Sequence, residues 1–340
     1  MDSMEISNLS RGILRELCTD SRTTITALSS RFDTSRPTIS KRISSLEREL
    51  GLRYILELNY KALGFSNMQI LHLKLNKKPA NAALIKIMNG SRLPQLAVTT
   101  KGDFDIVVFV IGSNAEERGG WEFELQLQLS KYGVLTNASN VDIMHLGFIP
   151  LSRQIIETAA IDDTYKRIIL ELNDNSRISI KELSDRLSMN GDMVHYYIKK
   201  LVKEGFIKRF TTVITKPPAK CNILLFATYT FSNGMVDRII KKRNTVYFRR
   251  EEELPISNEY QIVASTSGGE QDLVLGTYRN TAEALDLAVS THKAIFSKDR
   301  PIIKYGIVEN VIKGVLPIRS IDIRQNYQAT EWSTPQAQPR

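Results

Sequence analysis

The sequence predicts an α+β protein in which two winged helix-turn-helix domains alternate with two ferredoxin-like βαββαβ domains. Residues 13–52 and 168–207 align without a gap, and the segments that follow them, 61–150 and 221–317, share one order of strands and helices. A repeat this long indicates a duplicated domain pair rather than a solenoid. Identical positions include Glu16/Glu171, Leu17/Leu172, Ser21/Ser176, Arg22/Arg177, Leu28/Leu183, Ser29/Ser184, Arg31/Arg186, Ile43/Ile198 and Leu46/Leu201.

The repeat and the composition shifts divide the chain into five expected segments. Residues 1–60 and 160–220 are predicted to be the two winged helix-turn-helix domains, and residues 61–152 and 221–320 the two βαββαβ domains. Residues 321–340 are polar and rich in proline and glutamine, which favours a disordered tail.

Composition narrows the function class. The chain has 340 residues, 42% of them hydrophobic, and a formal net charge of +9, which favours a polyanionic partner such as double-stranded DNA. No apolar run is long enough for a bilayer span, so we expect a cytoplasmic protein without a membrane partner. The two cysteines, Cys18 and Cys221, lack a CxxC neighbour, so neither a disulfide framework nor a metal site or cofactor is expected.

Each copy of the repeat reads as three short helices. In the first copy Thr24 is a plausible N-cap for the second helix, and Ser35 caps a third helix that has Pro37 in its first turn. In the second copy Ser179 and Glu182 have the spacing of a capping box. One apolar stripe is expected to bury the third helix of the first copy, formed by Ile39, Ile43, Leu46 and Leu50.

The opposite face of that third helix has the residue types that read DNA. A helix, a tight turn and a second helix with an exposed basic first turn suit a major groove, where Arg and Lys bond guanine edges or phosphates. The predicted DNA-binding residues of the first copy are Ser35, Arg36, Thr38, Lys41 and Arg42. A solvated basic face is the alternative, but the whole helical pattern occurs twice and favours DNA binding.

The second copy differs on the matching face, where Asp192, Met193, Tyr196 and Tyr197 stand. Asp192 would repel phosphates, so this unit is expected either to make backbone contacts or to have lost DNA binding and serve for packing. The predicted phosphate-binding residues are Lys199, Lys200, Lys203, Lys208 and Arg209. After each third helix an alternating segment, LRYILELNY or IKRFTTVIT, predicts a small two-stranded wing.

The intervening segments predict a βαββαβ order, hence one antiparallel sheet with two helices on one face. The last strand of the first copy is expected over residues 141–149. In both copies the middle hairpin carries Gly-x-x-Asp, at Gly102–Asp105 and Gly269–Asp272. Glycine permits the positive φ that a tight turn demands.

Together these motifs resemble the Lrp/AsnC (feast/famine) family of transcriptional regulators. The resemblance rests on Asp20-Ser21-Arg22, Ser35, Ile39, Arg42, Ile43, Leu46 and Glu47, joined to a βαββαβ domain with Gly-x-x-Asp. It implies that this domain, the RAM domain, pairs sheet against sheet into dimers, and that small effectors, often amino acids, bind near the glycine hairpin. The implied effector-binding residues are Thr99, Thr100, Lys101, Gly102, Asp105, Ser267, Gly268, Gly269 and Asp272. The glycine and aspartate can equally serve only to shape the turn.

Two full units in one chain depart from the family pattern. The tandem copy can fold into an intramolecular pseudo-dimer, or it can form a homodimer with another chain. Both arrangements fit the sequence.

Two rival functions remain open. Sirohaem decarboxylases resemble the same family but carry a His-Asn-Tyr-x-Arg type stretch on the middle strands, where this chain has VTTKG at 98–102 and ASTSG at 264–268. Its histidines, His72, His145, His195 and His292, are scattered, so no catalytic residue is expected. An architectural protein that coats DNA without sequence preference is the other alternative.

Overall fold

The computed structural model describes residues 7–132, 138–141, 148–216, 221–228, 260–265, 271–278 and 302–318. The first repeat forms three helices, which are α1 (Asn8–Thr19), α2 (Ile25–Arg31) and α3 (Arg36–Leu50). Side-chain oxygens cap all three: Ser7 accepts the Ser10 N–H at 3.2 Å, Thr24 that of Ala27 at 3.1 Å, and Ser35 that of Thr38 at 3.3 Å. The predicted caps at Thr24 and Ser35 are therefore confirmed.

The second repeat forms an equivalent trio after a short helix, α6, that the sequence pattern did not predict. Its elements are α6 (Arg153–Ile156), α7 (Asp163–Asp174), α8 (Ile180–Leu187) and α9 (Gly191–Lys203). Only half of the expected capping box forms. Ser179 accepts the Glu182 N–H at 3.1 Å, whereas the Glu182 carboxylate bonds Arg186 at 2.7 Å.

The residues that are identical between the repeats hold the helical units together. Glu16 pairs with Arg31 across α1 and α2, and Glu171 pairs with Arg186 in the same way at 3.1 Å. Leu28 and its equivalent in α8 are fully buried. The identities therefore explain why the two units share a fold, and the exposed faces of α3 and α9 are one place where the units differ.

The prediction of a two-stranded wing in each unit is wrong. Each unit supplies one strand, β1 (Leu52–Leu58) or β6 (Ile207–Ile214), and these two strands pair antiparallel with each other. A single strand needs a partner for its backbone N–H and C=O groups, and the other repeat provides it. The two helical units are thus joined inside one chain.

Matching contacts flank this ribbon on both sides, so a pseudo-twofold axis relates the two units. The Ser21 N–H donates to the Phe210 carbonyl at 3.0 Å, and the Ser176 N–H donates to the Tyr54 carbonyl at 3.1 Å. The Ser21 and Ser176 hydroxyls meet at 2.6 Å. The guanidinium of Arg22 lies over the Phe210 ring at 5.5 Å, and Arg177 lies over the Tyr54 ring at 5.1 Å.

We expect the two serines to be energetically coupled, although 155 positions separate them. Ser21→Ala and Ser176→Ala should each cost about 1–2 kcal/mol, since each leaves the other buried hydroxyl without its partner. The double variant should cost less than the sum by about 0.5–1.5 kcal/mol. Urea unfolding of the four proteins measures this. If the two single-variant costs simply add, the hydrogen bond between the Ser21 and Ser176 hydroxyls is contradicted.

The first βαββαβ segment forms with the predicted order. Its elements are β2 (Asn67–Leu73), α4 (Asn81–Asn89), β3 (Pro94–Gly102), β4 (Ile106–Gly112), α5 (Ala115–Leu129), a 3-10 turn (Ser130–Tyr132) and β5 (Ala138–Val141). β5 begins before the expected strand, and residues 142–147 of that expectation lie outside the described ranges.

In the second βαββαβ segment the described residues include all of the expected strands. They are β7 (Cys221–Thr228), β8 (Tyr260–Ser265), β9 (Gln271–Tyr278) and β10 (Ile302–Lys313). The two helices predicted for this segment, and the predicted tail at 321–340, lie outside the described residues.

All eight strands belong to one sheet in the order β5-β2-β4-β3-β10-β7-β9-β8. Both halves repeat the ferredoxin-like order, and the antiparallel pair β3·β10 joins them. Of the two arrangements that fit the sequence, the chain therefore forms the intramolecular pseudo-dimer. Its described strands meet edge to edge rather than sheet against sheet. Across the described ranges, we find no helix with the length and apolarity that a membrane crossing requires.

Candidate nucleic-acid interface and the hairpin at the sheet joint

The buried stripe of α3 fixes which face of the helix meets solvent. Ile39 and Leu50 are fully buried, and Ile43 and Leu46 are nearly so. The predicted DNA-binding residues lie on the other side, and all are exposed: Ser35, Arg36, Thr38, Lys41 and Arg42. The helix thus presents its charged first turns outward, with their positions set by the core rather than by contacts among themselves.

The cations on this face form no close ion pair within the part of the chain that the structure describes. Among the described residues, no carboxylate lies within 4.0 Å of Arg36, Lys41 or Arg42, whereas Arg48 on the same helix pairs with Glu49 at 2.9 Å. Unpaired cations keep their full electrostatic attraction for phosphates. Two hydroxyls nearby are already used, because Ser35 and Thr38 bond each other at 2.9 Å in the helix cap.

The corresponding helix α9 presents a different surface. Lys199 and Lys203 are exposed. Lys200 lies over the Tyr165 ring at 5.4 Å and reaches Glu204 at 3.8 Å, and its bond to the Tyr165 hydroxyl raises the pKa of the Lys200 ammonium. Two large uncharged side chains are also exposed, Met193 by 49% and Tyr196 by 59%. Lys199 and Lys203 are therefore the cations of α9 that are available to a polyanion.

The remaining predicted cations lie on β6 at the ribbon between the units. Lys208 is exposed. Arg209 is half-buried, and its Nε atom lies 3.4 Å from the Glu57 carboxylate on β1. Arg209 thus helps to join the two strands, and a phosphate would have to compete with Glu57 for it.

The residues that the resemblance assigns to an effector lie at the β3·β10 joint. Thr99 and Thr100 are buried, Lys101 is exposed, and Gly102 ends β3 with φ +140°. The Thr99 hydroxyl accepts from the Asn310 amide at 3.2 Å, and the Thr100 hydroxyl donates to the Phe104 carbonyl at 2.9 Å.

Gly102 allows β10 to approach closely. A Cβ at this position would lie 2.7 Å from the Tyr305 carbonyl oxygen, which is too close for any side chain. The hairpin is also tied to β10 by Asp103, whose N–H donates to the Tyr305 carbonyl at 2.9 Å and whose carboxylate accepts the Tyr305 N–H at 2.8 Å. The expected positive φ of the glycine is therefore confirmed, and it has a packing cause besides the turn.

Asp105 ties the same hairpin to the end of β2. Its carboxylate accepts the Leu75 N–H at 2.8 Å and lies 3.4 Å from the Lys74 ammonium and 3.8 Å from that of Lys78. Lys78 also bonds the Thr100 carbonyl and pairs with Glu309 of β10 at 2.8 Å. Lys78 and Glu309 were not predicted, because no motif marks them, and their contact depends on strand pairing across more than 200 positions.

In the second hairpin, Ser267, Gly268 and Gly269 lie outside the described residues. The backbone of Asp272 lies on β9, opposite Ser265 and Ala227.

The described histidines do not form a metal or catalytic group. No cluster of His, Cys, Asp and Glu suited to a metal occurs in the described part of the chain. His72 lies on β2, buried against the Phe104 ring at 4.6 Å, and His195 is exposed on α9. His145 and His292 lie outside the described residues.

His72 should make the stability depend on pH. Burial, with a smaller effect of the Lys304 charge, lowers the pKa of His72 from 6.5 to about 4. The folded protein thus holds His72 neutral. Its contribution to stability is complete above the pKa that His72 has in the unfolded chain, and it is lost as the pH falls toward the lower pKa of His72 in the folded protein. Between about pH 7.5 and pH 5 the loss should be about 2 kcal/mol. Urea unfolding at both pH values measures it, and His72→Gln should remove this part of the dependence. An unchanged dependence in His72→Gln would refute the assignment.

Known proteins share both the helical units and the whole architecture. Residues 6–49 and 161–208 each match the winged helix-turn-helix DNA-binding family. An uncharacterised HTH-type transcriptional regulator of Pyrococcus horikoshii is 30% identical over 129 residues, which is 37% of this chain and 77% of that protein. Another from Pyrococcus abyssi is 32% identical over 127 residues, covering 36% and 76%.

Among solved structures, the sirohaem decarboxylase NirDL superposes with a TM-score of 0.53 over 92% of this chain and 94% of its own. Its sequence identity is only 11%, so this likeness shows a shared fold and nothing about activity.

Proposed function

Because the chain belongs to the Lrp/AsnC family of HTH-type transcriptional regulators, we propose that it acts by reading a duplex DNA site through α3. One observation carries this proposal: Arg36, Lys41 and Arg42 are exposed on the first turns of α3 without an ion-pair partner among the described residues. Arg and Lys so placed bond guanine O6 and N7 in a major groove.

The second unit supports the first by binding phosphates. The exposed cations Lys199, Lys203 and Lys208 are suited to that task, and Lys200 and Arg209 can add to it when DNA displaces their present partners. Asp192, exposed in the first turn of α9, disfavours close approach of a groove to this helix. The two units thus divide base reading from backbone binding.

A small effector, such as an amino acid, would act at the hairpin of Gly102 or at its counterpart in the second half. Thr99, Thr100 and Gly102 pair with β10, so a ligand that enters here changes the joint between the halves of the sheet. A change at β10 would reach the helical units through β6, whose Ile214 N–H donates to the Ile318 carbonyl at 2.8 Å. Assembly without an effector is the alternative form of regulation.

Sirohaem decarboxylation is the second candidate, because the decarboxylase NirDL shares the fold of the whole chain. Against it, the β3 positions 98–102 offer two buried threonines and one exposed lysine, and no His, Tyr or Arg that could protonate a substrate. A porphyrin absorbance band followed by product formation would establish the enzyme.

The proposal is tested by titrating the protein against its own promoter duplex and a scrambled duplex of equal length, at two salt concentrations. Tight, salt-dependent binding that prefers the promoter is expected. Equal binding to both duplexes would support the DNA-coating alternative. No binding even at low salt would overturn the proposal that the chain binds DNA.

A further inference from the structure

Helix α5 exposes an apolar stripe on the side that faces away from its own sheet. Its core side chains Trp121, Leu125 and Leu129 are buried. Phe123 and Leu127 are 61% and 59% exposed. At about 100° per residue, these two side chains lie opposite the buried stripe rather than at its margin. They are therefore not part of the core that folds this domain.

The N-terminal half of the same face of α5 carries small residues and leaves open space around the backbone. A Cβ at Gly119 or Gly120 would have no heavy atom within 4 Å. Glycine in the middle of an exposed helix costs about 0.5–1 kcal/mol relative to alanine, so two in succession are not explained by helix stability. They leave the backbone accessible to a close neighbour, one turn before the large side chains.

We propose that this face, defined by Gly119, Gly120, Phe123 and Leu127, binds the same face of a second copy of the chain. An antiparallel twofold pairing centred on Phe123 sets Leu127 of one helix over Gly119 of the other, so large residues fill the small half. The same arrangement brings the exposed Glu116 of one helix toward Lys131 at the end of the other. A parallel pairing would set large side chains on large ones and like charges together.

Two surfaces that could join one copy of the chain to another are already used within the chain. The β1·β6 ribbon and the β3·β10 edge both connect one half of the chain to the other half. Helix α5 offers a self-complementary apolar face that no other described element covers. A second copy is the occupant that matches both its shape and its charges.

Pairing through α5 would place two α3 helices in one assembly, related by a twofold axis, and would suit an inverted-repeat DNA site. This consequence rests on the proposed function. The association itself does not, and it is measured without DNA, so the two can fail separately.

Sedimentation velocity of the full chain, from about 5 µM to about 200 µM, tests the proposal. The wild type should shift from monomer to dimer as its concentration rises. Phe123→Glu with Leu127→Glu should weaken association at least about 30-fold, because it places charges in the contact. Gln128→Glu adds a charge to the same helix outside the proposed contact and should leave association unchanged.

A cross-link tests the register independently. Phe123→Cys should form an interchain disulfide on mild oxidation, since the twofold axis brings the two positions together, and Gln128→Cys should not. A wild type that stays monomeric at the highest concentration would overturn the proposal. So would a dimer that the charged stripe variant leaves intact.

Discussion

Gly102→Ala is expected to destabilise the protein by about 2–4 kcal/mol, because the β3·β10 joint has no room for a side chain there. The added Cβ would meet the Tyr305 carbonyl oxygen at 2.7 Å, and φ of +140° already lies outside the range that alanine adopts easily. Neither partner can move freely, since Asp103 holds the Tyr305 backbone through two hydrogen bonds. Urea unfolding measures the loss.

Gly191→Ala is the matched control. A Cβ at Gly191 would make only ordinary contacts, with Ile180 at 3.7 Å and Ser184 at 4.0 Å. Alanine is also the better helix former, so the control should stay within about 1 kcal/mol of the wild type. If the two variants unfold alike, the close approach at Gly102 is not present in solution.

The second large effect concerns DNA. Arg36→Ala with Lys41→Ala should cost about 1–3 kcal/mol for each base contact that the two side chains make, or at least about 30-fold in Kd for the preferred duplex. The loss should be much smaller on scrambled DNA, so that specificity falls together with affinity. Both side chains are exposed and unpaired within the described residues, so the fold should not suffer.

Lys199→Ala with Lys203→Ala removes the same charge from the corresponding helix of the second unit. This variant should weaken all duplexes alike and reduce the slope of log K against log salt by about one for each phosphate that the protein no longer neutralises. Identical behaviour of the two double variants, on preferred and scrambled duplexes, would refute the division between α3 and α9.

Most of the fold could be predicted from the sequence, because each pattern occurs twice in the repeat. Periodicity located the buried stripe of α3, and capping chemistry located the starts of α2 and α3 at Thr24 and Ser35. The βαββαβ order followed from alternation and turn residues. These are local signals, read over a few residues at a time.

The joints between the halves could not be predicted in the same way. Strand pairing is set by surfaces that meet across 150 or more positions, as Ser21 and Ser176 do at an offset of 155. The expectation of two separate wings failed for this reason, since each strand completes its ribbon with the other repeat. The sequence signal for this joint was the identity of Ser21 with Ser176 and of Arg22 with Arg177. Polar residues without a shared structural role have no reason to stay identical in both copies.

The candidate site illustrates a further limit. Sequence named Lys200 and Arg209 beside Lys199 and Lys203 as one basic set, but only the structure separates them. Lys200 contacts Tyr165 and Glu204, and Arg209 contacts Glu57. Charge can be counted from a sequence, whereas its availability depends on neighbours that packing brings close.

We propose that one chain carries one base-reading helix, α3, beside a second unit that holds phosphates. Methylation and ethylation interference tests it most directly, on a duplex selected by the protein from random sequence and bound by one chain. We expect guanine methylation to interfere in a single segment, and phosphate ethylation to interfere there and in the neighbouring segment. Guanine interference of equal strength in two matching segments would show that α9 reads bases as α3 does, and would contradict the proposed division between the two units.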